Sequence, residues 1–430
     1  MKLLFLSQYY PPETGAGATR ASTLRKYFVE RGWTVDVLCE LPNYPSSIIE
    51  EEFRGRWSHE TTDKGGKVVR TWVIPTRREN ILQQVAMFTS YMFSSLIYGM
   101  MHPGRYDAVY ATSPPIFSAL SGLLLARLYG VPFYFEVRDL WPDAAIATGQ
   151  LEHKNLSYRI SKRIERWMYR KADLVIPVTH RSEALIRKTC PEVRTFVAYN
   201  GVDTAVFNRT GAGEIPASEP WQERKFRVGY VGTIGVIHDM DTVIRAAKLL
   251  EDDPDIGIVL VGEGSQSNQL RRIIQDLSPN NVYWLGNRPH DCIPAYLSQL
   301  DVGLNPVNDT PVFESILTVK FFEYLACGVP VINCARGIIR EVGDASRAAL
   351  TVEPGNPEAL AAAIRQLKHD PALRARLSAN ARPFVEEHFD RKMWARRLAE
   401  ALEENQTASD LNPDSESRTT PSPTNTMYKW

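Results

Sequence analysis

The sequence lacks an excess of either charge: lysine plus arginine and aspartate plus glutamate both number 50. That balance gives no electrostatic footprint for a nucleic-acid partner. Cysteine is scarce. The five (Cys39, Cys190, Cys292, Cys327, Cys334) are scattered and never form a C-x-x-C pair. A disulfide framework and a zinc site are thereby disfavoured, and a reducing compartment is expected. Internal repeats are missing too. The opening MKLLFLSQYY carries four apolar residues between Lys2 and Ser7. It is too short for a signal-peptide core and reads as a first buried strand, so a cytoplasmic protein is expected. One long run lacks charge, the 21 residues from Ile81 to Met101. Its length would cross a bilayer, but Gln83, Gln84, Ser90, Ser94, Ser95 and Gly99 dilute it, and it lies between strands expected to share one sheet. It reads as a crossover helix with one face on the sheet and the other buried or touching lipid.

What is present is alternation. Apolar runs at Lys2–Leu6, Thr34–Leu38, Val68–Ile74, Asp107–Ala111, Pro132–Glu136, Leu174–Val178 and Thr195–Ala198 are separated mostly by helical patterns. The series restarts at Arg227–Val231, Ile256–Val261, Val282–Leu285, Val302–Leu304 and Val329–Ile332. A chain of 430 residues suits two domains, so the fold class is α/β with two Rossmann-like, doubly wound, mostly parallel sheets. Ligands then sit at the carboxyl ends of strands, in the cleft between the domains. The expected divisions are 1–200, a Gly/Pro/Ala-rich linker 201–223, a second domain 224–383, a helix 384–404 crossing back to the first domain, and a disordered Ser/Thr/Pro-rich tail 405–430.

Three stretches carry chemistry. VGYVGTIGVIHDMDTVI (228–244) runs from a strand through Gly232 and Gly235 into a helix, and VGEGSQSNQL repeats the pattern at Gly262 and Gly264. Glycines there let backbone N–H groups approach an anion at a helix start, although tight packing alone also explains them. Third, Thr318 is placed to cap a helix Val319–Cys327, with Lys320 and Glu323 on one face. A lysine there meets a phosphate and a carboxylate one turn on accepts two ribose hydroxyls; the bland alternative is an exposed salt bridge of a few tenths of a kcal/mol. Asp239-Met-Asp241 spells D-x-D, but its place in a first helical turn reads as capping, so no metal is expected. In 155–171, Leu156, Ile160, Ile164 and Trp167 form one stripe and Arg159, Lys162, Arg163, Arg166 and Arg170 another. Such a helix fits an anionic membrane surface, or packs its apolar side on the domain as any solvated helix does.

Together NGVDTAVF (200–207), VGTIG (231–235), VGEG (261–264), WLGNRPHDCIPAYLSQLDVGLNP (284–306) and KFFEYLACGVPVI (320–332) occur in the order seen in family 4 retaining glycosyltransferases of GT-B architecture. YYPPETGAGATR, LPNYP, ATSPP and EVRDLWPDAAIATG resemble the bacterial O-antigen, capsule and exopolysaccharide branch, including fucosamine transferases. The resemblance implies a nucleotide-sugar donor (UDP favoured), a polyprenyl-diphosphate-linked acceptor, no cofactor, and peripheral attachment to the inner face of the plasma membrane. It implies that Glu323 holds the donor ribose and that Gly232–Gly235, Gly262 and Thr318, Val319 and Lys320 face the diphosphate. Asn287 and Arg288 border the base, and Gly15 and Gly17 lie over the phosphates and acceptor. Three departures stand out. The first of two family glutamates is Ser315, with Glu314 one step out of register; the usual basic pair after the first phosphate loop is Thr233 and His238; and the family's His-Asp pair is Arg138-Asp139. Lys320, Arg138 and Arg20 are the candidate replacement cations. A nucleotide-sugar 2-epimerase and a degenerate scaffold subunit stay open as alternatives, and the oligomeric state is undetermined.

Overall fold

The computed structural model describes residues 1–13, 15–43, 47–76, 81–143, 156–209, 215 and 219–411. It divides into a first unit, Met1–Asn200 with the chain from Lys392, and a second, Gly201–Arg391.

The first unit is built from β1 (Lys2–Leu6), α1 (Ala16–Glu30), β2 (Thr34–Glu40), β3 (Ser58–Asp63), β4 (Gly66–Thr71), α2 (Ile81–Met101), β5 (Ala108–Ser113), α3 (Ile116–Tyr129), β6 (Phe133–Val137), α4 (Leu156–Lys171), β7 (Leu174–Pro177) and α5 (His180–Thr189). Its sheet has the order β3-β4-β2-β1-β5-β6-β7, parallel except for β3 against β4. Both faces are covered, which is why β1 reads as an unbroken apolar run. Leu3 and Phe5 pack with Leu24 and Phe28 of α1, while Leu4 and Leu6 pack with Ala119 and Leu123 of α3. The crossover α2 joins β4 to β5, and the serines that dilute it are contact residues. Ser94 Oγ donates to the Trp72 carbonyl at 2.5 Å, and Ser95 Oγ lies 2.9 Å from Ser121 Oγ. Among the described residues no helix is long and apolar enough to cross a membrane.

The second unit contains β8 (Phe226–Val231), α6 (Met240–Lys248), β9 (Ile256–Val261), α7 (Ser267–Leu277), β10 (Val282–Trp284), α8 (Ile293–Ser298), β11 (Val302–Pro306), α9 (Val319–Ala326), β12 (Val331–Cys334), α10 (Ile338–Ser346), β13 (Ala349–Val352), α11 (Pro357–His369) and α12 (Pro371–His388). Its parallel sheet has the order β10-β9-β8-β11-β12-β13. Two Rossmann-like α/β sheets therefore make up the chain.

Several boundaries differ from those read in the sequence. Thr195–Ala198 is no strand: it joins β7 through one bridge, Val175 with Thr195, and stays extended through bonds from Phe196 and Ala198 to Val175 and Pro177. The antiparallel edge strand β3 (SHETTD) and the half-buried β13 carry too little apolar signal to be read. The expected helix 384–404 is split, because Phe389–Arg391 leaves α12 to bond with Val202 before α13 (Arg391–Leu411) begins. Ala395, Leu398, Ala399 and Leu402 of α13 enter the first unit's core. The expected tail is helical as far as Leu411, with Asn405 buried, and 412–430 lie outside the described residues. Within the expected linker, Trp221 is fully buried and stacks on Tyr296.

Candidate functional site

At the carboxyl end of β8 the chain turns through Gly232 at φ 143°, a conformation that favours glycine. Its N–H donates to Val261 O at 2.9 Å, and Ile234 N–H donates to Glu263 O at 3.1 Å. The two glycine loops interlock backbone on backbone. A Cβ at Gly262 would collide with the Gly232 carbonyl, and one at Gly264 with that of Ile234. Packing thus accounts for Gly262 and Gly264.

Gly232 has a further neighbour. A Cβ there would lie 2.7 Å from Cε of Lys320 and 3.3 Å from its Nζ, so the lysine is tucked against the turn. Lys320, in the first turn of α9, is only 8% exposed. Its ammonium donates to Tyr230 Oη at 2.8 Å and lies 2.6 Å from His238 Nε2. Tyr230 spends its own proton on Thr233 O at 2.5 Å, and the His238 Nδ1 faces Pro306 O at 3.3 Å. A carbonyl only accepts, so Nδ1 carries the imidazole proton and Nε2 accepts from lysine. Burial, reinforced by the Lys320 charge, pushes His238 down to about 2. Burial also lowers Lys320 to about 7, against the pull of Glu323. This arrangement replaces the exposed ion pair. Glu323, half-buried one turn on, is raised by burial, with Arg391 and Lys320 opposing.

Thr318 does not cap α9 with its side chain. Its hydroxyl donates to Asn305 Oδ1 at 2.8 Å, Asn305 Nδ2 to Asn333 Oδ1 at 2.9 Å, and Asn333 Nδ2 to Ile339 O at 3.0 Å. This buried chain ties β11, β12 and the start of α10 to the start of α9, and leaves the first turn of α9 without a side-chain cap. Val319 follows, half-buried. Ser315 closes a 3-10 turn, Pro311–Ser315, by donating to Val312 O at 3.2 Å. Asp239 accepts from Thr242 N–H at the start of α6, and Asp241 pairs with Arg245. The D-x-D carboxylates are thus engaged in capping and pairing. Asn287 is exposed, whereas the Arg288 guanidinium is held by Tyr296 Oη at 2.8 Å and Glu219 at 3.1 Å. Beside them Gly262 N–H donates to Gly286 O at 2.8 Å.

In the first unit, Gly15 opens α1 at φ 118° without a side-chain cap, and the place of a Gly17 Cβ is taken by Arg138 Nη1. Arg138 donates to Pro114 O at 2.5 Å, its Nε is buried without a partner among the described residues, and Asp139 beside it is exposed. Gly17 and Arg138 therefore meet, two residues beyond Gly15. Arg20 does not join them. It is 2% exposed, donating to Glu136 at 2.8 Å and to the carbonyls of Ala198 and Tyr199, which removes it from the candidate phosphate cations.

On α4, Lys162 turns inward to Asp143 at 2.8 Å and Glu165 at 2.7 Å, because Glu165 is buried and needs a cation. Ile160 and Trp167 instead face outward, 50% and 43% exposed, among Arg159, Arg163 and Arg166. Asn155 and the side chain of Leu156 lie outside the described residues. Sequence reasoning missed Tyr230, Asn305 and Asn333; the two asparagines were visible as polar residues inside apolar strands.

Residues 15–201 match the family described as Glycosyl transferase 4-like domain, and residues 212–384 that described as Glycosyl transferases group 1. WcaI of Escherichia coli K12, described as a colanic acid biosynthesis glycosyl transferase, is 25% identical over 93% of this chain and 98% of its own. Sucrose-phosphate synthase from Thermosynechococcus elongatus superposes with a TM-score of 0.74 at 19% identity, covering 95% of this chain and all (100%) of that one. Anabaena HepE, solved with UDP-glucose, gives 0.68 at 20% identity, covering 94% and 100%.

Proposed function

Because a glycosyl transferase 4-like domain here precedes a glycosyl transferases group 1 domain, the chain belongs to the family 4 GT-B glycosyltransferases, and we propose that it moves a sugar, with retention, from a UDP-sugar to a polyprenyl-diphosphate-linked saccharide during cell-surface polysaccharide synthesis. The colanic acid role given to WcaI supports the polysaccharide setting.

The observation that carries the reading is Lys320, held under the Gly232 turn at the uncapped start of α9, with Glu323 one turn on. A leaving diphosphate needs positive charge and N–H donors fixed beforehand, since donors that need not reorganise contribute most to the transition state. Lys320 supplies the charge, the first turn of α9 supplies N–H groups and the positive end of a dipole, and Glu323 receives the ribose hydroxyls. In this mechanism the sugar C1–oxygen bond to the diphosphate breaks as the acceptor oxygen bonds C1 on the same face. The acceptor proton passes to the departing phosphate oxygen, so the protein provides position and charge rather than a base. Lys320 takes the place of a metal at the diphosphate, and turnover is independent of divalent cations. In the first unit, Gly17 and Arg138, next to the α1 start at Gly15, form an anion corner suited to phosphate.

Attachment to an anionic membrane through α4 fits the lipid-linked acceptor. Arg159, Arg163 and Arg166 flank the outward Ile160 and Trp167, and each cation near such a surface contributes about 1 kcal/mol. Calorimetry with nucleoside diphosphates, followed by product analysis with and without a lipid-linked acceptor, tests the reading. UDP should bind more tightly than GDP, and transfer should require acceptor and survive EDTA. Failure of every nucleoside diphosphate to bind would overturn it, and a sugar rearranged without acceptor would replace transfer with epimerisation.

A further inference from the structure

His238 stands where the family resemblance leads one to expect a cation, yet its surroundings keep it neutral. Its ring is anchored at both ends. The backbone bridges to Val307 and donates to Gly235 O at 3.0 Å, while Nδ1 faces the Pro306 carbonyl. Only Nε2 is left to act, and it lies 2.6 Å from Lys320 Nζ. Resting on the reading of this site as the donor-diphosphate site, we infer that His238 is a positioning residue: a neutral imidazole that accepts from the Lys320 ammonium and fixes where that ammonium points beneath the Gly232 turn.

The geometry is over-determined in a useful way. An ammonium has three tetrahedral protons. One goes to Tyr230 Oη at 2.8 Å, which can accept because its own proton is committed to Thr233 O, and one goes to His238. Two fixed acceptors leave the third N–H a single direction, and that proton is the one a phosphate oxygen can take. A histidine kept only to fill space would not need its acceptor nitrogen against the amine. A cationic side chain at 238 would repel the Lys320 ammonium at this distance. The titratable groups facing Lys320 are Tyr230 from β8, His238 from the segment before α6, and Glu323 on α9; facing His238 are Lys320 and the edge-on ring of Tyr230. Hydrogen bonding to the charged form favours it, so the two acceptors also hold a proton on an amine that burial would otherwise strip. When a diphosphate binds above neutral pH, Lys320 takes a proton from solvent and keeps it while the anion is bound.

The test compares the wild type with His238→Leu, which lacks the acceptor, and His238→Gln, whose amide oxygen restores one. UDP and uridine are titrated calorimetrically from pH 5.5 to 9.5 in buffers of different ionisation enthalpy, which reports protons taken up. Wild-type UDP affinity should fall with rising pH, by up to about tenfold per unit, with proton uptake. In His238→Leu UDP should weaken by about tenfold or more, with the fall beginning at lower pH and uridine unchanged, while His238→Gln recovers most of the loss. Equal UDP affinity and pH dependence in wild type and His238→Leu would overturn the inference. So would parallel losses of UDP and uridine, since they mark a structural role. If the wild type binds uridine but gains nothing from the diphosphate, the donor-site reading itself falls.

Discussion

Arg20 offers the sharpest test of how the two units divide their labour between structure and chemistry. Its side chain and that of Glu136 are 2% and 1% exposed and 2.7 Å apart. Tyr110 also donates to Glu136 at 2.7 Å, and the guanidinium donates to the carbonyls of Ala198 and Tyr199 at 3.0 and 3.1 Å, just where the chain leaves the first unit. Arg20→Met keeps most of the apolar stem and deletes the fork. It leaves a buried carboxylate with the Tyr110 hydroxyl as its remaining donor among the contacts described, and withdraws the Arg20 donors from two carbonyls. Breaking such a pair from one side costs about 3–5 kcal/mol, and each orphaned acceptor about 1–3 kcal/mol, the terms overlapping. A loss of about 3–5 kcal/mol corresponds to a melting temperature lowered by roughly 6–20 °C for a unit of this size. The double variant Arg20→Met/Glu136→Leu should recover part of that loss, since no buried charge then stands alone and only neutral groups, the Tyr110 hydroxyl and the two carbonyls, lose a contact. UDP affinity below the transition should stay at the wild-type level throughout. Thermal and urea unfolding read the first effect and calorimetry the second. An Arg20→Met protein that melts with the wild type but no longer binds UDP would refute the reasoning and return Arg20 to the phosphate site.

Gly232→Ala should weaken UDP by about tenfold or more while lowering stability only by about 1–2 kcal/mol, because the added methyl meets Lys320 Cε at 2.7 Å on a φ of 143°; calorimetry and unfolding on one preparation separate the two. Lys320 is held near 7, below its ordinary 10.5, so the unfolded chain binds more protons between those values and this group's stability contribution rises with pH there. Lys320→Met should therefore melt above the wild type at pH 6.5, with the gap narrowing by pH 9.5, and a gap independent of pH would contradict the burial argument. Reversing Arg159, Arg163 and Arg166 to glutamate should abolish co-sedimentation with anionic liposomes, a change of at least about 3 kcal/mol, and wild-type binding that ignores lipid charge would end the membrane proposal.

Much of this architecture was legible because buried parallel strands leave strong marks. Runs such as KLLFL and IGIVLV are apolar on both faces, and few other elements produce them. What escaped was the half-exposed and the long-range. β3 is polar at every position, and the division at Phe389 depends on a backbone pairing with Val202 nearly two hundred residues earlier. Within the site, glycine positions and the Lys320–Glu323 spacing were readable, because local turns and helical faces follow from spacing alone. The fate of each cation was not. Arg20, Arg138 and Lys320 look alike in sequence, and only the placement of Glu136 by a neighbouring strand makes the first of them structural.

The same argument bears on the missing cations at 233 and 238. Thr233 contributes its carbonyl, not its side chain, to the cluster, and His238 contributes a lone pair. The Thr233 carbonyl meets Tyr230 while its side chain is exposed, and His238 meets Lys320, so neither position is simply degraded. A lysine entering from α9 reaches the place beside residue 238, and two ammonium groups so close in a partly buried site would repel by several kcal/mol. Once Lys320 occupies that place, the neighbour must be neutral and must accept. On the donor-site reading proposed above, the acceptor at 238 and the buried amine at 320 are therefore two halves of one arrangement, which favours a site rebuilt around α9 over one in decay.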